Sequence, residues 1–200
     1  MKEDKEIRCY TCEFRAVEPD NQDSRMVEGY AAVYNSDSEY MGFVERIEPG
    51  AFDGVIERSD VLALLNHDVA RGVLARSKKG QGSLELEVTP DGLLYRFEAP
   101  KTALGDELLE NLRRGEIDSS SFAFTIDQEE WVNVGSADEE RWMRKIKRVN
   151  QLYDVSPVYY PAYKATSCSR RALEKIESLK SNEELRKKQL ADLDKILKKI

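Results

Sequence analysis

Histidine is almost missing from this chain: His67 is the only one in 200 residues. Cysteine is scarce too, with Cys9, Cys12 and Cys168 making up the full set. A structural zinc site takes four ligands, and three cysteines and one histidine this scattered do not supply one. Cys9-Tyr10-Thr11-Cys12 does have the C-x-x-C spacing. The residues around it alternate like a strand, which turns the two thiols to opposite faces. No metal or cofactor is therefore expected. An odd cysteine count with no export signal also argues against a disulfide framework and for a reducing compartment. Long hydrophobic runs are absent, and nothing approaches the roughly 18 residues that read as a spanning helix. The opening Met1-Lys2-Glu3-Asp4-Lys5-Glu6 is charged with no apolar stretch behind it, so no secretory signal and no membrane partner are expected.

Positive charge is short as well. The net charge is −7, and it is uneven: Ser169–Ile200 has ten Lys/Arg against six Asp/Glu, net +4, which leaves −11 on the remainder. Duplex affinity comes mainly from neutralising phosphates, so a body this acidic is not expected to bind nucleic acid. What is present is enough apolar residue, 40% of the chain, to bury one core of ordinary size.

The pattern along the chain is mostly strand-like. Glu6–Val17, Met26–Tyr34, Phe43–Ile47, Val61–Leu65 and Gly72–Arg76 read as strands. Leu84–Val88 alternates strictly and meets Leu93–Ala99 across Pro90-Asp91-Gly92, a hairpin signal. Ala51–Arg58 reads as one or two helical turns. Thr102–Arg114 is a helix, with Thr102 as cap, leucines at 104, 108, 109 and 112 on one face, and Gly115 where a C-terminal glycine belongs. Ile117–Ile126, Trp131–Gly135, Arg141–Arg148 and Gln151–Tyr159 return to strand character. From Ser169 onward there is neither Gly nor Pro, and Ser181-Asn182-Glu183-Glu184 reads as a capping box between two helices. The expectation is an α+β fold with a mainly antiparallel, β-barrel-like core, one internal helix and a C-terminal helical tail. Residues 1–168 would form the main domain and 169–200 the amphipathic tail.

Two stretches carry possible chemistry. His67 leaves the apolar run Val61-Leu62-Ala63-Leu64-Leu65, and an imidazole there is either a satisfied structural residue or a general base. Ser119-Ser120-Ser121 runs from the end of the helix into the aromatic Phe122-Ala123-Phe124. It reads either as a polar turn or as the source of a nucleophile.

The chain resembles the prohead serine proteases of tailed phages, a capsid-maturation family related in fold to the herpesvirus assembly proteases. The resemblance spans about Glu6 to Arg171. It is carried by Gly29-Tyr30-Ala31-Ala32-Val33-Tyr34-Asn35, Ile47-Glu48-Pro49-Gly50-Ala51-Phe52 and Leu65-Asn66-His67-Asp68. Further along it rests on Arg113-Arg114-Gly115-Glu116-Ile117-Asp118, Ser121-Phe122-Ala123-Phe124, Leu152-Tyr153-Asp154-Val155-Ser156-Pro157-Val158 and Pro161-Ala162-Tyr163. The resemblance implies His67 as general base, Ser121 as nucleophile with Ser120 behind it, and Asp154 as the acidic third member with Asp68 as its rival. Ala123 stands where the family commonly has Gly, and Ser119-Ser120 where Gly-Met or Gln-Met is usual. Backbone N–H groups would supply the oxyanion donors, with Arg170 or Arg171 as further candidates by the same analogy.

The implied function is a serine endopeptidase that cuts the capsid scaffold, or the scaffold segment of the major capsid protein, and itself. It would work in the host cytoplasm inside the immature capsid, and self-association is plausible because the related viral proteases act as dimers. The tail would be docked on a partner or removed by self-cleavage. The alternative is a non-catalytic assembly module that keeps the protease fold.

Overall fold

A computed structural model describes residues 5–10, 14–17, 24–136, 140–160 and 167–197. The chain divides into two compact units, Met1–Tyr163 and Lys164–Ile200. The first is α+β and contains eleven described strands: β1 (Glu6–Tyr10), β2 (Phe14–Ala16), β3 (Met26–Val33), β4 (Val44–Ile47), β5 (Asp60–Ala63), β6 (Ala75–Lys78), β7 (Gln81–Gly82), β8 (Leu84–Val88), β9 (Gly92–Glu98), β10 (Ser119–Asn133) and β11 (Trp142–Val158). Helix α1 (Ala103–Arg113) lies between β9 and β10.

The strands form a mixed seven-stranded sheet and an antiparallel four-stranded one. The first runs β1-β10-β11-β5-β6-β7, with β4 also paired to β11. The second runs β2-β3-β9-β8. Among the described residues these hydrogen bonds close no barrel. One cluster of buried side chains, including Phe52, Leu65, Tyr95, Leu108, Phe122 and Ile146, makes the core. Phe122 stacks on Phe124 at 4.6 Å and meets Phe52 edge-on at 5.9 Å. Truncating so central a ring costs about 3–5 kcal/mol.

The local signals hold where they are strongest. Leu84–Val88 and its partner pair antiparallel as β8 and β9. Thr102 caps α1 by accepting from the Gly105 N–H, and Gly115 takes a φ of +69° beyond its end. Elsewhere the boundaries move. Glu6–Val17 is two strands in different sheets, with residues 11–13 between them outside the described set. Ala51–Arg58 forms successive turns with i→i−3 bonds such as Val55 N–H to Phe52 O and does not continue into a helix.

Four expected short strands merge into the long β10 and β11. Their register shifts between Ala123 and Phe124, again through Thr125, Ile126 and Gln128, and once more before Glu129. Bulges of this kind hide an unbroken strand from a period-2 reading. The second unit is α2 (Ser167–Leu197), one continuous helix through Ser181. With no Gly or Pro to stop it, and with Glu183/Lys187 and Glu184/Lys188 at helix-stabilising spacing, the capping-box residues remain inside the helix.

Candidate active site

Strand alternation separates Ser120 from Ser121. Ser120 shares a face with Phe122 and turns into the core, where its hydroxyl meets the Tyr95 hydroxyl at 2.7 Å. Ser121 points the other way. The β10–β11 register sets Ser156 opposite Ser121 and Asp154 opposite Ala123. Ser121 and Asp154 are thus diagonal neighbours on one face, a span of about 7–8 Å between backbones, and one imidazole fills it.

That imidazole arrives from β5, which runs parallel to β11 with Leu62 against Asp154. Beyond β5, the Leu64 N–H donates to Val155 O and the Asn66 N–H to Pro157 O, which carries the pairing up to the loop. Asn66 and His67 then both adopt the left-handed conformation, with φ of +57° and +60°. Each such non-glycine residue costs on the order of 1 kcal/mol, and strain of this kind persists where surrounding contacts over-determine it.

His67 Nδ1 is 2.5 Å from Asp154 Oδ1, and Nε2 is 2.6 Å from Ser121 Oγ. A carboxylate only accepts, so it holds the ring proton of neutral His67 at Nδ1 and leaves Nε2 as an acceptor facing the serine. Asp154 is 2% exposed. Its Oδ1 also accepts from the Ser156 hydroxyl at 2.9 Å, and its Oδ2 from Lys5 Nζ at 3.1 Å. Burial pushes the Asp154 carboxyl up, but the His67 hydrogen bond, the His67 and Lys5 charges and the Ser156 hydroxyl together hold it below the usual carboxylate range. Ser121 Oγ lies 2.9 Å from the Arg8 carbonyl as well, so its hydrogen faces two acceptors.

Of the residues singled out in the sequence, His67, Ser121 and Asp154 meet. Ser120 and Asp68 do not join them: Asp68 is exposed and caps the short turn Val69–Arg71 by accepting from the Ala70 N–H. The side chains of Cys9, Cys168, Arg170 and Arg171, and the whole of Cys12, lie outside what the structure describes. Among the described residues no group of three or more His, Cys, Asp or Glu is placed to hold a metal ion, and no helix is long and apolar enough to cross a membrane.

Sequence reading missed three neighbours. Ser156 was legible, two positions along the same strand face as Asp154. Lys5 and the Arg8 carbonyl were not, because only the pairing of β1 with β10 brings them there. It also missed a buried ion cluster spanning β1, β4, β10 and β11. Glu45, fully buried, takes two bonds from Arg8 (2.6 and 2.9 Å) and one from Arg144 (3.1 Å). Both arginines also bind Glu6, and Arg144 reaches Glu129 at 2.6 Å.

A serine hydroxyl on a carboxylate-oriented imidazole is the arrangement by which hydrolases activate a serine for acyl transfer. The class that fold and site point to is thus a serine hydrolase. The chain belongs to the caudovirus prohead serine protease family, which it matches over residues 11–181. Membership makes it a phage capsid-maturation protease, associated with capsid proteins and located in the procapsid. No curated protein and no solved structure matches it.

Proposed function

We propose that this protein is a serine endopeptidase in which Ser121 is the nucleophile, His67 the general base and Asp154 the group that orients and balances the imidazole. Its substrates are the phage capsid scaffold, or the scaffold segment of the major capsid protein, and its own chain. The supporting observation is the unbroken hydrogen-bonded line Asp154–His67–Ser121.

Attack of Oγ on the scissile carbonyl moves the serine proton to Nε2, and the buried Asp154 carboxylate balances the imidazolium that forms. Collapse of the tetrahedral intermediate breaks the C–N bond, and Nε2–H returns the proton to the departing amine. Water then attacks the acyl-enzyme with His67 again taking the proton, which releases the acid product and restores Ser121. Backbone N–H groups are the usual oxyanion donors for this chemistry.

Residues 1–168 form the protease domain in this reading, on a barrel-like packing of the two sheets. Residues 169–200 are a tail that is docked or cut away, and the enzyme self-associates inside the prohead in the host cytoplasm.

The test follows the mass of purified full-length protein over time, alone and with its cognate coat protein, beside a Ser121→Ala control. Loss of a fragment from either chain in the wild type only is the expected result. Equal processing by both proteins removes Ser121 as nucleophile. An intact coat protein in both, after assembly, favours the non-catalytic assembly module.

A further inference from the structure

One wall of a cavity of about 590 Å³ is formed by His67 and Asp154. That size lies within the range of sites that take a drug-sized ligand, and so a short length of peptide. Leu62, Leu64 and Tyr153 contribute to its lining from the sheet, and Val69 and Val73 from the loop that follows His67. These two valines stand 62% and 42% exposed. Two bare aliphatic side chains on one short loop, both turned to the same cavity, are an apolar surface left open beside the reacting groups.

The charges at the rim are already matched within the chain. Arg76 holds Asp60 through two bonds, Nε to Oδ1 at 2.7 Å and Nη2 to Oδ2 at 2.5 Å. Lys5 holds Asp154. An incoming charged side chain would compete with these pairs, whereas an apolar one would cover Val69, Val73 and Leu62 and remove their surface from water. The cavity is lined by His67 and not by Ser121. Its occupant therefore belongs to a residue flanking the scissile bond, one step away from the carbonyl under attack.

We infer that this cavity is a specificity subsite, taking a bulky aliphatic or aromatic side chain of the polypeptide substrate at one position beside the cleavage point. The inference rests on the proposed Ser121–His67 chemistry, and its test separates the two. Full-length wild type, Ser121→Ala, a Val69→Ser/Val73→Ser double variant and a Val73→Trp variant are each incubated with a peptide library made by digesting a bacterial lysate. The cut sites are read by mass spectrometry. Both valines are exposed, so the melting temperatures of the variants should match the wild type, which a thermal scan verifies.

The wild type should show Ser121-dependent cuts enriched for Leu, Ile, Val, Met, Phe or Tyr at one flanking position. The double variant should lose on the order of tenfold in kcat/KM for those peptides, the size of effect that trimming a hydrophobic pocket produces, with other positions unchanged. Val73→Trp should narrow the cavity and shift that one position toward small residues. Enrichment that survives in both variants, or an absence of apolar preference at every flanking position, overturns the subsite. Cuts that persist in Ser121→Ala overturn the proposed nucleophile, and the subsite falls with it.

Discussion

Two polar clusters share β10 and β11 and behave as opposites. In the Arg8–Glu6–Glu45–Arg144–Glu129 cluster each carboxylate is bonded to a guanidinium. Mutual pairing holds the Glu6 carboxyl below its ordinary range against the effect of burial, and raises Arg144 further above its own. In the Asp154–His67–Ser121 cluster a titratable ring stands between a fixed anion and a neutral hydroxyl, at the edge of an open cavity. Buried charge and short hydrogen bonds are common to both. What separates the proposed catalytic cluster is a ring nitrogen able to take the serine proton, strained backbone beneath the ring and an open cavity along His67, whereas the ion cluster pins β1 and β4 to the sheet.

Substitutions can sharpen that contrast. Asp154→Asn should have the largest effect on activity, a fall of about 10⁴ in kcat with the fold retained, because an amide no longer fixes the Nδ1–H tautomer. A stopped assay on any Ser121-dependent peptide measures it. Glu45→Ala should do the reverse. It leaves two arginines short of a buried partner and costs about 3–5 kcal/mol of stability, which is roughly 10 °C or more in melting temperature for a domain of this size. If instead Glu45→Ala melts like the wild type, the cluster is not what anchors β1.

Acid should separate them less sharply. Glu6 and Asp154 both have depressed carboxyls, so the stability each adds is complete above the ordinary carboxyl value of about 4 and is lost as pH falls through the lower folded value. A Glu6→Gln variant should show a shallower loss of melting temperature between about pH 5 and 2 than the wild type.

Lys5→Met should give the smallest change. Lys5 is 47% exposed, and pairs of that kind contribute about 0–1 kcal/mol, so activity should fall less than about fivefold. With one cation gone, Asp154 would take up its proton at a higher pH. The acid limb of the pH–rate profile should therefore move upward, and Lys5→Arg should restore it.

How far the sequence could be read depended on how local each feature is. The β8–β9 hairpin and capped α1 are written in neighbouring residues, so both were plain. The choice of Ser121 over Ser120 is local too once the strand is granted, since alternation alone sends one hydroxyl to Tyr95 and the other to His67. The family resemblance supplied Asp154, which lies 87 residues from His67. Spacing alone had no means of joining them. The fused β10 and β11 were obscured by bulges. The ion cluster was hidden for a different reason: Arg8, Glu45 and Arg144 look like the solvent side of ordinary strands until those strands are paired across the sheet.

Synthesis order gives the parallel pairing of β5 with β11 a further consequence. A ribosome delivers the chain from its N-terminus, so the serine and the histidine emerge well before Trp142–Val158. Until then β5 lacks the partner that aligns its loop, and the ring has no carboxylate to fix its proton. On the proposed assignment the growing polypeptide therefore lacks both the strand that aligns His67 and its orienting carboxylate until β11 has been made.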